Sequence, residues 1–134
     1  MRIVLDTNVI ISAFINPNGI PSQIVKLALQ RKAELCYNSV ILNEYERVAL
    51  RPKFSDKIDA NLIRRFINLI RIIGYSFDPV PSKIKLLDES DRIFYDTAKG
   101  SNSVLISGNL KHYPKEPFIM DPAEFIERIG QKQK

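Results

Sequence analysis

The chain has 134 residues, 45% of them apolar and 26% charged, with a formal net charge of +5. Such a length and apolar content suit one globular domain with a real core and exclude a disordered chain, which would be polar and monotonous. No apolar run approaches the roughly 20 residues of a membrane span, Met1-Arg2 leads directly into a strand-like segment, and the lone Cys36 cannot close an internal disulfide, so a cytoplasmic protein with no membrane partner is expected.

Arg2-Ile3-Val4-Leu5 is a short β-branched run ending at Asp6, the pattern of a strand buried on both faces. Asn16-Pro17-Asn18-Gly19 breaks the chain, and Ile24, Val25, Leu27 and Ala28 then have helical spacing up to Arg31. Leu35-Cys36-Tyr37 reads as a second strand. Ser39 is the expected N-cap of a helix running to about Arg51, with Ile41, Tyr45 and Val48 on its inner stripe and Pro52 as its stop. A helix over 58–73 carries a wide apolar face and ends at Gly74. Tyr75-Ser76-Phe77 is a third strand, followed by the loop Asp78-Pro79-Val80-Pro81. A helix is expected from Glu89 to Lys99, strands at Val104–Ile106 and Phe118–Met120, and a last helix from Pro122 to about Ile129. Residues 1–130 thus read as one domain and Gln131–Lys134 as a polar tail.

Strands alternating with helices predict an α/β fold in which helices cover both faces of a parallel sheet. Ligands of such sheets bind beyond the carboxyl ends of the strands, so chemistry is expected where the strands stop.

Asp6 stands at such a point, though a carboxylate there also serves as a helix or loop cap. Glu44 lies within the apolar stripe of its helix, three residues after Ile41 and four before Val48, and needs either a cation or a nearby Arg or Lys. Asp91 shares a helix face with Phe94, Tyr95 and Ala98, whereas Asp88 and Glu89 fit plain helix-start roles. Asn109 follows the fourth strand as Asp6 follows the first, and either ligates or simply turns the chain. Three converging acids repel one another unless a divalent cation sits between them, and Mg2+ or Mn2+ prefers oxygen ligands. Such a site suits phosphodiester cleavage, and the basic charge favours a polyanionic partner. His112 is the single histidine, which excludes a two-histidine mechanism, and as a loop residue it reads as surface.

Asp6-Thr7-Asn8-Val9-Ile10 resembles the opening of the PIN domain. Asn43-Glu44, Ser90-Asp91-Arg92-Ile93-Phe94 with Ala98, Leu105-Ile106-Ser107-Gly108-Asn109-Leu110, and the closing Phe118–Phe125 stretch fall in that family's order and approximate spacing. The likeness is strongest to the VapC-like branch of toxin–antitoxin ribonucleases. It implies a three-layer α/β/α fold with strand order 3-2-1-4-5, and Asp6, Glu44 and Asp91 as metal ligands. It further implies catalysis assisted by Asn109, Thr7 and Asn8 shaping the loop around Asp6, an RNA substrate, an antitoxin partner and a homodimer. The family frequently has an aspartate where this chain has Asn109, and Asp96 is the nearest candidate to replace it, although five residues from Asp91 on a helix is about 140° away. Arg47, Arg51, Lys53 and Lys111 are candidates to hold an RNA backbone. Two rivals remain: an aspartate-nucleophile phosphatase, which would need a second aspartate where Asn8 stands, and a PIN-like RNA-binding domain without catalysis.

Overall fold

The computed structural model describes residues 1–132, with side chains through 130. In chain order the elements are β1 (Arg2–Leu5), α1 (Thr7–Ile15), α2 (Ile20–Leu29), β2 (Glu34–Tyr37), α3 (Ser39–Ala49), α4 (Ala60–Ile73), β3 (Tyr75–Ser76), α5 (Arg92–Gly100), β4 (Val104–Ile106), β5 (Ile119–Met120) and α6 (Pro122–Lys132). All five strands are parallel, in the order β3-β2-β1-β4-β5. This is the expected α/β fold and strand order. Ile3, Val4 and Leu5 of β1 are fully buried at the centre of the sheet. α5 packs on β1, β2 and β4, α4 on β2 and α3, and α1 against α2 and α3. Among the described residues no helix is long and apolar enough to cross a membrane.

One helix differs from the sequence-based expectation altogether. α1 occupies the stretch between Asp6 and the Asn16 break, where no helix was predicted. Thr7, Val9, Ile10, Ile11 and Ala13 are all buried, so the helix is apolar on most sides, and its polar face is reduced to Asn8 and Ser12, too narrow to give the 3.6-residue signal of an amphipathic helix. At the far end, α6 continues through Lys132, past the predicted end at Ile129 and into the expected tail, of which Gln133 and Lys134 lie outside the described residues.

Two boundaries have causes other than those predicted. The cap of α3 is Asn38 rather than Ser39: its Oδ1 accepts from the Ile41 amide at 3.0 Å. Its Nδ2 donates to the carbonyl of Phe77 at 3.1 Å and to Thr97 Oγ1 at 2.9 Å, so one buried amide ties α3 to β3 and α5. Gly74 does end α4, but with an extended backbone (φ −81°) rather than the left-handed turn of a glycine stop. Glycine is required by close approach: a Cβ there would lie 2.7 Å from both the Ile70 and Leu35 carbonyl oxygens.

Asn38→Ala is expected to cost about 2–4 kcal/mol, the sum of a lost helix cap and buried partners left unsatisfied, measured by urea unfolding. Ser39→Ala, by contrast, is expected to shift the midpoint little.

Candidate active site

The pairing of β1 with β4 puts Leu5 opposite Ile106, so Asp6 and Ser107 leave the sheet side by side. The Asp6 amide donates to the Ile106 carbonyl at 3.0 Å, and Ser107 Oγ donates to Asp6 Oδ2 at 2.8 Å. The Tyr113 hydroxyl donates to the same oxygen at 2.9 Å. Asp6 holds the N-cap position of α1, yet its side chain makes no capping bond. The carboxylate, 6% exposed, is instead held by these two hydroxyls.

Asp91 ends the short 3₁₀ turn Glu89–Asp91 that runs into α5. It is 9% exposed, and its Oδ2 is buried with no hydrogen-bond partner. Nδ1 of His112 lies 3.3 Å from that oxygen. Burial, with added repulsion from Asp6 and Asp88, pushes the Asp91 carboxyl up to about 6. Asp88 and Glu89 are satisfied locally: Asp88 accepts from Ser90 N and Oγ, and Glu89 pairs with Arg92. The Ser90 bonds hold the Asp88 carboxyl below its ordinary range.

Asp6, Glu44, Asp91 and Asn109 all line one cavity of about 400 Å³, together with Arg47, Arg51, Lys53 and His112. The four expected site residues thus share one wall. They do not form a ready-made metal nest: among the described residues no three His, Cys, Asp or Glu side chains come close enough to hold an ion. Glu44 is the member that stands apart, in a two-pronged ion pair with Arg47 at 3.1 and 2.9 Å. Asn109 is exposed at the rim, its amide donating to Ser107 Oγ at 3.0 Å. Asp96 does not reach the cavity: it accepts from the Ser82 amide at 3.0 Å and fastens the segment before α5. Lys111 faces a separate hollow with Pro114 and Ile119. A wider hollow of about 610 Å³ beside residues 49–60 holds only exposed acids, Asp56 and Asp59, the latter capping α4.

Three side chains of this cavity region escaped the sequence reading. Ser107 passed for a turn residue, and the strand register was the signal that could have found it. Tyr113 is a buried aromatic six residues beyond Ser107, with no motif to announce its hydroxyl. His112, read as surface, is only partly exposed and lies against Asp91. Thr7, from the Asp-Thr-Asn motif, has a buried hydroxyl with no partner, and Asn8 Oδ1 accepts from the Gly108 amide at 3.3 Å, linking the first and fourth strand ends.

A parallel α/β sheet with a carboxylate-lined cavity at its carboxyl edge defines the class of protein. A PIN domain family model matches residues 2–111. The uncharacterized protein MJ1680 of Methanocaldococcus jannaschii is 32% identical over 110 residues, covering 81% of this chain and 71% of its own length. Among solved structures, VapBC2 from Rickettsia felis bound to a DNA fragment from their promoter superposes with a TM-score of 0.58 at 14% identity, over 90% of this chain and 98% of that one. The chain belongs to the PIN domain family. Members of that family are in general ribonucleases, and its nucleases generally use divalent metals such as Mg2+.

The raised Asp91 carboxyl has a stability consequence. The folded chain holds this proton more tightly than the unfolded chain, where the group titrates near 3.8, so stability falls as pH rises from about 4 to about 6 and the penalty is complete above that. Asp91→Asn removes the penalty and is expected to raise stability near neutral pH by up to about 3 kcal/mol, with the two curves converging below about pH 4 in thermal melts.

Proposed function

We propose that the chain is a divalent-metal-dependent endoribonuclease, with Asp6, Glu44 and Asp91 as its metal ligands and Asn109 assisting. The observation that carries this reading is the buried, unbonded Oδ2 of Asp91 in a cavity shared with Asp6, within a family of nucleases. A carboxylate oxygen stripped of water and hydrogen bonds is costly unless a cation or proton meets it. Mg2+ or Mn2+ fits here by charge and by its preference for oxygen donors. Asp6 and Asp91 would hold it directly, and Glu44 would join once its pairing with Arg47 opens.

Such an ion supplies charge to a phosphoryl oxygen and acidifies a water. The remaining work falls to the chain. Arg51 and Lys53, and Arg47 when released, grip the phosphates on either side of the scissile bond. Ser107 and Tyr113 keep Asp6 in one orientation. Glu44 completes the metal shell or orients the attacking water, and Asn109, at the rim, offers a neutral amide to the water or the RNA.

We further infer that the protein acts in the cytoplasm as the toxin of a toxin–antitoxin pair, with an antitoxin protein as partner and a homodimer as its assembly. The likeness to VapBC2 of Rickettsia felis supports this role through the fold. A second reading, an RNA-binding domain without catalysis, is favoured by one observation, the Glu44–Arg47 ion pair that leaves the acids without a third free member. RNA binding with no cleavage across a series of divalent metals would select it.

Asp6→Asn is expected to reduce Mn2+-dependent RNA cleavage at least about 100-fold while leaving the circular dichroism spectrum unchanged. Full activity in that variant would reject the assignment.

A further inference from the structure

One segment, residues 107–113, reaches both buried acids. Ser107 and Tyr113 each donate a hydroxyl to Asp6 Oδ2, and His112, within the intervening 3₁₀ turn Leu110–His112, lies against Asp91 Oδ2. Tyr113 is 6% exposed, and a tyrosine hydroxyl buried to that degree is ordinarily satisfied by a backbone carbonyl. It donates to a carboxylate instead, and to the oxygen that already has a donor. Among the described residues the other oxygen, Oδ1, accepts no hydrogen bond.

We propose that Tyr113 is a positioning residue: with Ser107 it pins Oδ2 of Asp6 and leaves Oδ1 as the atom presented to a divalent cation. The inference rests on the ribonuclease reading above. Its physical basis is that a ligating carboxylate free to rotate must be ordered on each binding event, whereas one held by outer hydrogen bonds is ordered in advance. Two donors on one oxygen also make the two oxygens inequivalent, which favours one-point over two-point coordination.

Three measurements test it. In Tyr113→Phe, Mn2+ affinity measured by electron paramagnetic resonance is expected to fall about tenfold, and kcat for RNA cleavage to fall with it while KM stays within about twofold. Tyr95→Phe, which removes a hydroxyl bonded to Glu116 outside the cavity, is the control and is expected to move neither. Ser107→Ala is expected to follow Tyr113→Phe, and Ser107→Thr, which keeps a hydroxyl, to restore wild-type affinity. In the unmodified chain the Tyr113 hydroxyl proton is expected to shift in NMR spectra on titration with Mg2+, a readout that needs neither a variant nor turnover. Unchanged Mn2+ affinity and kcat in Tyr113→Phe, or a hydroxyl proton indifferent to Mg2+, in a chain whose wild type binds metal and cuts RNA, overturns the positioning role alone. A wild type that neither binds Mn2+ nor cuts RNA overturns the ribonuclease reading and the positioning role together.

Discussion

Two carboxylates buried in each other's field are the constraint around which the strand ends are arranged. Asp6 lies at the end of β1 and Asp91 at the start of α5, and repulsion from Asp6 adds to burial in raising Asp91. Burial is the larger cause and the charge of Asp6 the second. The chain meets this cost without a metal in three ways: a proton held on Asp91 up to about pH 6, two hydroxyl donors on Asp6, and His112 against Asp91. A doubly charged ion is therefore not the only thing that makes these acids tolerable. Protonation and hydrogen bonds offset the cost near the acidic end.

The same constraint accounts for polar groups beneath the sheet edge. Tyr45, fully buried on α3, donates its hydroxyl to the Leu5 carbonyl at 2.6 Å, directly before Asp6. Its ionisation is pushed well above the usual phenol range by burial first and by Asp6 second, so it too remains a neutral donor. Asn38 at the end of β2, Asp6 at the end of β1 and Ser107 at the end of β4 all bond across to a neighbouring element. The carboxyl ends of these strands are a polar seam over an apolar sheet, which is where a parallel α/β fold leaves unpaired backbone and room for a ligand.

How much of this could be read from the sequence depended on the kind of signal. β1 and β4 were legible because burial at the centre of the sheet leaves uninterrupted apolar runs with β-branched residues, and α4 because its stripe from Ile63 to Ile70 has full helical contrast. α1 was not, since a helix buried on most sides has no contrast to read. Asp6, Glu44, Asp91 and Asn109 could be gathered at one edge because each follows a strand or lies in an apolar stripe. What held them was not legible. The Arg47 pair of Glu44 could be foreseen only as one of two alternatives, and Tyr113 needed the path of the 3₁₀ turn to bring its hydroxyl back over β1.

Magnitudes decide how the Glu44–Arg47 pair bears on a catalytic role for Glu44. Arg47 is 58% exposed and Glu44 27%, and solvent screening leaves such a pair contributing little. Under the ribonuclease reading, one phosphate contact from RNA would compensate Arg47 for leaving, and the freed carboxylate would then be available to the cavity at little net cost. Asp91 has no such latitude: its burial is built into the start of α5, and the free energy it stores is several times that of the surface pair. Under the ribonuclease reading the two acids therefore divide the task. Asp91 supplies a standing demand for positive charge, and Glu44 is recruited when the substrate's own phosphate draws Arg47 away.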